Sequence, residues 1–498
     1  MYTTKPNKLQ FRQLLKYVFF FSHSSSNFPL KPVPGSYGLP FFGAIRDRLD
    51  YFYNQGRDEF FATRIQKYHS TIIKINMPPG PFIAQNSRVI ALLDAVSFPV
   101  LFDTSKVEKR NVLDGTFFPS VSFTGGYRVC AYLDPSERNH TSLKTFFLSI
   151  LASKHSTFIP LFRTCLSQLF IDIEDEISSQ KKASFNSLSD AISFSFVFRL
   201  FCEKDPSTTK IGSKGPKMVD KWLALQLAPL ATLNPSSFLK YLDDLLLHTF
   251  PFPFFLVKSN YKKLYEAFYE HSARILDKAE SFGIKRDEAC HNLVFLAGFN
   301  AYGGMKSFFP TLIKWVAQAG ENLHTQLAHE IRTVVKQEGG VTFQALDKMI
   351  LTKSVVYESL RIEPPVPFQY GKAKEDMVVH RHDASYEIKK GEMIFGYQPF
   401  ATNDPKVFHN PREFVGHRFV GEEAEKLLKY VHWSNDRETK DPMVEDKQCP
   451  GKDLVVLLAR VILVELFLRY DTLRVETKKG IGLASSVTIT SLTKPTST

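Results

Sequence analysis

The stretch Lys447-Gln448-Cys449-Pro450-Gly451-Lys452-Asp453 places a single cysteine in a Pro-Gly turn directly before an apolar run from Leu454 to Leu468. The run has the length and composition of a buried helix. A cysteine between lysines and next to a helix amino terminus experiences a positive potential, which favours the metal-binding thiolate over the thiol. Taken alone, Cys449 fits a metal ligand and an inert buried cysteine equally well.

A second short motif, Tyr357-Glu358-Ser359-Leu360-Arg361, lies on a helix that is predicted to begin near Leu346 and to stop at Pro364-Pro365. Glu358 and Arg361 are three residues apart, so their side chains share one face of this helix. In isolation such a pair is most simply a surface ion pair worth about 0.2–0.5 kcal/mol. Its functional interpretation therefore depends on the cysteine loop downstream.

Composition narrows the class of protein. The chain has 498 residues, 44% of them hydrophobic, and 45 phenylalanines, which excludes disordered and fibrous proteins and suggests a roomy apolar interior. The net charge of +12 suits an anionic substrate or an anionic membrane surface. The sequence has neither a run of five like charges nor zinc-finger spacing, so no nucleic acid partner is expected.

The five cysteines are few and far apart, which favours a reducing, intracellular compartment over a secreted disulfide framework. Nucleotide enzymes, serine hydrolases, zinc proteases and repeat proteins are excluded because their motifs are absent from the sequence. Apolar spacing predicts helices through most of residues 137–360. The fold class is therefore mainly α with small β-sheets, in one large domain. Strands are predicted at Thr71 to Ile75, Met377 to His380, Tyr386 to Lys389, Met393 to Tyr397 and Val487 to Leu492.

Residues 1–30 form a separate amino-terminal extension that carries no acidic residue. Three interpretations of it stay open: a targeting sequence, a peripheral membrane contact and a flexible tail. The apolar run Tyr17 to Phe21 is far shorter than the roughly 20 residues of a membrane-spanning helix, so no transmembrane helix is expected. The choice between plastid, cytosol and a peripheral membrane location is left undecided by the sequence.

Together, the two motifs resemble those of the cytochrome P-450 superfamily, and the resemblance extends through Phe414-Val415-Gly416-His417-Arg418-Phe419. It implies a cytochrome P-450 fold over residues 31–493, followed by a tail at 494–498. It also implies a haem b whose iron is bound by Cys449. Glu358, Arg361 and Arg418 would then support the haem loop. Thiolate ligation favours O–O bond cleavage at the iron.

Two departures from the usual pattern indicate a branch of that superfamily. The usual loop has Phe, Gly and Arg at seven, four and two residues before the thiolate, where this chain has Pro442, Glu445 and Lys447. On the helix expected to cross the haem, Asn300 and Ala301 replace the acid and the threonine that monooxygenases use to deliver protons. An amide can still hold a polar oxygen by hydrogen bonds, which suits a substrate that already carries an O–O bond.

Both departures resemble the plant branch that metabolises fatty-acid hydroperoxides, which contains allene oxide synthases, hydroperoxide lyases and divinyl ether synthases. Supporting stretches include Phe123-Thr124-Gly125-Gly126-Tyr127-Arg128 and Tyr430-Val431-His432-Trp433-Ser434-Asn435. The resemblance implies that haem propionates are contacted by Lys109, His140, Lys144 and Lys447. It also implies that Asn300 and Lys306 contact the hydroperoxide substrate. His140 and Lys144 are four residues apart, so they share a helix face.

The resemblance implies a reaction that needs no O2, NADPH or redox partner. Cleavage of the hydroperoxide gives a radical that leads either to an allene oxide or, by rearrangement of the carbon skeleton, to an aldehyde and an oxo acid. Leu113 stands where plastid-type allene oxide synthases have Phe, as in hydroperoxide lyases, and an aromatic face would stabilise an electron-poor carbon better. The expectation is therefore a hydroperoxide lyase, with allene oxide synthase as the alternative and a reductase-dependent monooxygenase as a distant one.

Overall fold

A computed structural model of the protein describes residues 28–113, 117–233, 239–478 and 485–495. Most of the predicted amino-terminal extension, up to residue 27, lies outside these ranges, as do the last three residues of the predicted tail. No helix within the described ranges is long and apolar enough to cross a membrane.

Helices dominate from residue 138 to residue 362, where the apolar spacing of the sequence predicts them. In the described part of the chain the α-helices are α1 (Phe42–Leu49), α2 (Arg57–Tyr68), α3 (Arg138–Lys154), α4 (Phe158–Gln180), α5 (Phe185–Cys202), α6 (Gly215–Leu227), α7 (Lys240–His248), α8 (Lys258–His271), α9 (Ala273–Glu280), α10 (Arg286–Phe295), α11 (Gly303–Ala319), α12 (Glu321–Glu338), α13 (Phe343–Lys348), α14 (Ile350–Ile362), α15 (Gln398–Thr402), α16 (Ala424–Leu428) and α17 (Lys452–Arg469).

The strands form three small sheets at the edges of this helical body. They are β1 (Leu30–Lys31), β2 (Ile72–Asn76), β3 (Arg88–Leu92), β4 (Val107–Glu108), β5 (Ala183–Ser184), β6 (Phe368–Ala373), β7 (Met377–His380), β8 (Ser385–Ile388), β9 (Met393–Tyr397), β10 (Thr472–Lys478) and β11 (Ser486–Thr493). The largest sheet has the order β2-β3-β9-β6-β4, and the others are β1-β8-β7 and β10-β11-β5. A mainly α fold with small sheets is thus confirmed.

The apolar run after Cys449 forms α17, which packs against α4, α12 and α14. Its residues from Val456 to Phe467 are buried on every face, as expected for a helix that is hydrophobic all round. The amino terminus of α17 is thereby fixed in the core of the protein, and Cys449 lies immediately before it. This packing sets the position of the cysteine loop.

Two of the predicted helices differ in detail from the sequence-based expectation. The helix expected from Leu346 is divided at Met349 into α13 and α14. The long helix that carries Asn300 contains a π-helical segment, Leu296–Tyr302, between α10 and α11. Such π-helical segments, called π-turns below, are rare in proteins as a whole, but those that occur are frequently located at functional sites. Neither interruption has a signature in the apolar spacing, because the spacing continues through both.

Candidate active site

Glu358, Arg361 and Arg418 form an ion triad whose side chains are almost wholly shielded from water. Arg361 donates from Nε to Glu358 Oε2 at 2.7 Å and from Nη2 to Oε1 at 2.8 Å, and neither side chain is exposed. Arg418 donates from Nε to the same carboxylate at 2.9 and 3.0 Å. One buried carboxylate therefore compensates two guanidinium groups. The structure brings together the three residues predicted to support the loop.

Most of the remaining donors of both arginines bind backbone carbonyl groups, and Arg361 Nη1 also donates to Asn403 Oδ1 at 2.8 Å. Arg361 binds carbonyl oxygens of Thr402, Pro411 and Glu413, and Arg418 binds those of His409, Asn410 and Glu413. The Val415 N–H donates to Glu358 Oε1 at 2.9 Å. These bonds fasten the chain between residues 402 and 418 to α14, and they explain why this irregular stretch can be ordered without strands of its own.

The cysteine loop is held by hydrogen bonds from its own backbone. The Cys449 N–H donates to the Ser434 carbonyl at 2.8 Å, and the Lys452 N–H donates to the Cys449 carbonyl at 3.1 Å. The side-chain amide of Gln448 donates to Ser434 Oγ at 3.1 Å. The thiol is therefore presented by a backbone that is already fixed, which suits a metal ligand.

The electrostatics of Cys449 differ from the sequence-based expectation. Burial raises the pKa of the thiol, although the backbone of Gly451 and the charge of Lys144 act in the opposite direction. The flanking lysines contribute little because their ammonium groups are bound elsewhere. Lys447 donates to the carbonyls of Cys130, Ala131 and Leu133, and Lys452 to those of Glu438 and Lys440. The thiolate therefore requires an additional cation, as an iron would provide.

The four basic residues predicted to contact propionates do lie in one cluster. Burial, followed by the charge of Lys447, lowers the pKa of Lys109 to about 7. Burial and the charges of Lys447 and Lys144 lower the pKa of His140 to about 3. Burial also lowers the pKa of Lys447 to about 8. Burial is the largest cause of each shift, and the charge of a neighbouring lysine in the cluster adds to it.

Two of these residues already have partners within the protein, which compensate the charge of one and use the hydrogen-bond donors of the other. Lys144 forms an ion pair with the Asp446 carboxylate and donates to the Asp446 carbonyl at 2.7 Å. The ammonium of Lys447 donates to three carbonyls. The sequence analysis missed Asp446, because a partner 302 residues away in the chain leaves no local signal.

The other two basic residues have no ion-pair partner within the part of the chain that the structure describes. His140 is 1% exposed and its Nδ1 has no hydrogen-bond partner among the described residues. Lys109 Nζ donates to the neutral amide oxygen of Gln369 at 3.1 Å. A haem carries two propionates, which would supply the missing acceptors beside a cysteine that needs a cation. The residues of this site therefore fit a haem.

Two series of contacts connect Asn300 and Leu113 to the segment around Tyr132. Phe299, next to Asn300, stacks on Phe295 with ring centroids 4.6 Å apart. Phe295 packs edge-on against Tyr132 with ring centroids 5.6 Å apart. Tyr132 lies in the segment whose carbonyls bind Lys447. Leu113 is half-buried, two residues after Asn111, whose N–H donates to the Tyr132 carbonyl at 2.9 Å. The exposed side chain of Asn300 makes no polar bond with another described residue.

Lys306 lies in a different set of contacts. Its ammonium forms an ion pair with Asp190 and lies 3.3 Å from Asp220 Oδ1. These carboxylates belong to α5 and α6, behind the helix that carries Asn300. The structure thus links ten of the eleven predicted site residues through contacts around the cysteine loop, and it pairs the eleventh, Lys306, with two aspartates.

Comparisons with known proteins identify a family and several similar sequences. The sequence profile of the Cytochrome P450 family matches residues 321–434 and ends before the unusual cysteine loop. Allene oxide synthase 3 of Solanum lycopersicum is 56% identical over 475 residues, which is 95% of this chain and 96% of that protein. Allene oxide synthase 1, chloroplastic, of the same plant is 54% identical over 93% of this chain and 86% of that protein. The 9-divinyl ether synthase of Capsicum annuum is 51% identical over 95% and 99%, respectively.

Substitution of Glu358 by Gln tests the buried triad. It keeps the shape of the side chain but leaves two buried guanidinium groups without a counter-charge, and breaking a buried pair typically costs about 3–5 kcal/mol. We expect a lower thermal midpoint and less haem per polypeptide. The matched control is Glu423→Gln, which removes one partner of an exposed pair with Lys426. Equal behaviour of the two variants would contradict the supporting role of Glu358.

Substitution of Cys449 by Ala tests the metal ligand. The variant should lose the absorption of a thiolate-bound haem, because no other sulfur lies at the amino terminus of α17. Cys130→Ala is the matched control, since Cys130 is a half-buried cysteine beside Lys447 in the same region. It should keep the spectrum of the native protein. Retention of that spectrum by Cys449→Ala would overturn the ligand assignment.

Proposed function

Since the chain belongs to the plant branch of the cytochrome P450 family that contains allene oxide synthases and divinyl ether synthases, and is therefore a haem-thiolate protein, we propose that it converts fatty-acid hydroperoxides into allene oxides. The observation that carries the proposal is Asn300, an amide exposed on a π-turn where a monooxygenase has an acid. An amide cannot supply the protons that reduction of O2 requires. It can orient oxygen atoms that are already bonded to each other.

The proposed substrate is a polyunsaturated C18 hydroperoxide, and the proposed cofactor is haem b. A substrate that carries its own oxidant needs no O2, NADPH or redox partner. Its hydrocarbon tail is compatible with the apolar groups around the π-turn, where Phe295 and Phe299 stack. The excess of basic residues suits its carboxylate.

Each residue has a separate task in the proposed mechanism. Haem b, when bound through Cys449, supplies the iron chemistry that cleaves an O–O bond homolytically. His140 Nδ1 and the Lys109 ammonium would hold its propionates, because neither group has an anionic partner among the described residues. The Asn300 amide would donate to one hydroperoxide oxygen and accept from the terminal O–H. Leu113 would face the substrate radical and influence its fate.

A hydroperoxide lyase is the second candidate function, and Leu113 is the observation that favours it. An aliphatic side chain stabilises an electron-poor carbon less than an aromatic ring does, which favours rearrangement over oxidation to a cation. The relatives described above, which match nearly the full length of the chain, carry the names of allene oxide and divinyl ether synthases. We give these full-length similarities more weight than one half-buried leucine.

Product analysis tests the choice between the two functions. The haem-loaded protein is mixed with the 9- and 13-hydroperoxides of linoleic acid, and the products are identified by mass spectrometry. We expect ketols, which form when an allene oxide is hydrolysed. Leu113→Phe should raise the ketol fraction, whereas the isosteric control Leu113→Ile should leave it unchanged. Short aldehydes with oxo acids as the main products would establish the lyase instead.

We also propose that the protein contacts membranes peripherally through an exposed apolar face. Two segments contribute to this face. The first, around α1 and the loop before β3, exposes Leu39, Phe41, Phe42 and Phe82. The second, around α7 and the loop after it, exposes Leu239, Tyr241, Leu242, Leu245, Leu246, Phe250, Phe255 and Leu256. An exposed apolar area of this extent is unusual for a soluble protein without a partner surface.

Arg48 holds the two segments next to each other. Arg48 Nε donates to Asp244 on α7 at 2.8 Å, and Nη1 donates to the carbonyls of Pro79, Gly80 and His248. Phe52 stacks on His248 at 4.4 Å. Exposed basic residues border the face, among them Arg46, Lys258, Lys262 and Lys263. Apolar side chains with a basic border are typical of proteins that bind the surface of an anionic membrane.

Flotation with vesicles of phosphatidylcholine and phosphatidylserine tests this contact. The native protein should float with the vesicles, and the double variant Phe250→Ser, Phe255→Ser should lose most of the bound fraction. The control variant Ile171→Ser, Ile350→Ser removes two exposed apolar side chains elsewhere and should bind as the native protein does. Absence of native binding, or equal losses in both variants, would refute the proposal.

A further inference from the structure

A line of aromatic side chains connects the π-turn with the surface of the protein. Phe299, beside Asn300, stacks on Phe295 with ring centroids 4.6 Å apart. Phe295 packs edge-on against Trp222 with ring centroids 6.0 Å apart. Trp222 is fully buried and also packs against the turn itself, since a Cβ atom on Gly298 would lie 3.2 Å from its Cζ3. The line therefore begins next to the backbone that carries Asn300.

From Trp222 of α6 the line continues to α8 and α10. The ring of Trp222 stacks on that of Tyr261 with centroids 5.5 Å apart, and Tyr261 is buried. His291 stacks on both Tyr261 and Tyr265, with ring centroids 5.8 and 4.4 Å apart, respectively. Tyr265 stacks on Tyr269 with centroids 5.6 Å apart, and Tyr269 is 40% exposed. A continuous series of rings thus leads from the π-turn to water.

The hydroxyl of Tyr261 is hydrogen-bonded to the imidazole of His291. Tyr261 Oη lies 2.7 Å from His291 Nδ1, and His291 Nε2 lies 3.6 Å from Asp287 Oδ1. A carboxylate beside Nε2 favours the tautomer with its proton on that nitrogen, so Nδ1 accepts the hydrogen bond from the phenol. Burial lowers the pKa of His291 and raises the pKa of Tyr261. At pH 7 the phenol is therefore protonated and the imidazole is a neutral base.

Tyr132 shows why this base matters. It is 1% exposed and packs edge-on against Phe295 with ring centroids 5.6 Å apart, but its hydroxyl has no hydrogen-bond partner among the described residues. Oxidation of such a phenol would leave its acidic proton in an apolar site, which is costly. His291 can take this proton from Tyr261. Tyr261 is therefore easier to oxidise than Tyr132, although Tyr132 is nearer to the π-turn along the line of rings.

We propose that Tyr261 and His291 form a redox site, which supplies electrons to the substrate site through Trp222 when a cleaved hydroperoxide does not complete its rearrangement. This inference rests on the proposed function, because cleavage of the hydroperoxide supplies the oxidant. As Tyr261 loses an electron, its phenolic proton moves to His291 Nδ1. The tyrosine becomes a neutral radical, and the carboxylate of Asp287 stabilises the imidazolium that forms.

The electrons and protons of this side reaction balance when a water-soluble one-electron donor such as ascorbate is present. Homolytic cleavage leaves two one-electron oxidising equivalents in the site, one of them on the substrate oxygen. Tyr261 supplies the two electrons one at a time. After each step the donor reduces the tyrosyl radical by way of the exposed Tyr269, and His291 returns the proton. Overall, one hydroperoxide and two ascorbate monoanions give one hydroxy fatty acid, one water and two ascorbyl radical anions.

Freeze-quench electron paramagnetic resonance tests this redox site. The haem-loaded protein is mixed with a linoleic acid hydroperoxide without a donor. We expect a tyrosyl radical, whose spectrum narrows when the protein contains ring-deuterated tyrosine. Tyr261→Phe should lose most of this signal, and so should His291→Gln, because glutamine accepts a hydrogen bond but is not a base. The matched control is Tyr386→Phe, which removes a buried tyrosine hydroxyl on β8 and should keep the native signal.

Two results would overturn the inference and leave the proposed function intact. They are conversion of the hydroperoxide by the native protein without any tyrosyl radical, and a signal of native size in Tyr261→Phe. Failure of the native protein to consume the hydroperoxide would refute the proposed function and this inference with it. If Tyr261→Phe does not fold, the comparison is made with His291→Gln.

Product analysis in the presence of ascorbate provides a second test. The native protein should form some hydroxy fatty acid beside its main product, and Tyr261→Phe should lose most of that fraction. The rate of the main reaction should be the same in both proteins, because Tyr261 is separated from the π-turn by Trp222. Equal fractions of hydroxy fatty acid in the native protein and in Tyr261→Phe would show that electrons arrive by another route and would contradict the inference.

Discussion

The ion triad of Glu358, Arg361 and Arg418 is the constraint on which the rest of the site depends. Its two guanidinium groups bind the carbonyls of an irregular segment and thereby attach it to α14. Such a buried triad is stable only while every charge is compensated. The triad is therefore a single unit. Loss of its one carboxylate would affect the whole segment.

The same helix also reaches the cysteine loop by a second route. Tyr357, adjacent to Glu358, lies beside Glu438. Glu438 accepts from Trp433 Nε1 at 2.6 Å, and its carbonyl accepts from the Lys452 ammonium at 3.0 Å. Trp433 precedes Ser434, whose carbonyl binds the Cys449 N–H. One turn of α14 thus supports both the triad and the backbone that presents the thiol.

The basic residues around the loop divide into two groups. Lys144 and Lys447 are bound by Asp446 and by carbonyl groups, so they consolidate the loop. Lys109 and His140 are buried, and no carboxylate of the described residues forms an ion pair with either of them. A buried base without a counter-charge costs free energy, and a cofactor that brings two carboxylates would remove that cost. We therefore regard the second group as the part of the cluster available to the haem.

Apolar spacing and turn residues in the sequence predicted the helices and strands that depend on neighbouring residues of the chain. The apolar run after Cys449 became α17, and the strands Met377–His380 and Met393–Tyr397 have the expected bounds. β6 was missed, because Gly371 and Lys372 interrupt its alternation. Glu358 and Arg361 are three residues apart and could be paired from the sequence. Asp446 meets Lys144 only when the cysteine loop packs on α3, and Lys306 meets Asp190 only when α11 packs on α5. The π-helical segment packs on α5 and α6, which are distant in the sequence.

Turnover of a fatty-acid hydroperoxide in the absence of O2, NADPH and any reductase tests the central claim most directly. The decay of the diene absorbance would be followed by stopped flow with the haem-loaded protein, under anaerobic and aerobic conditions. The account predicts rapid decay at the same rate in both, because the substrate carries its own O–O bond and Asn300 has no proton to deliver. A rate that depends on O2 and on a supply of electrons would contradict it and would favour a monooxygenase.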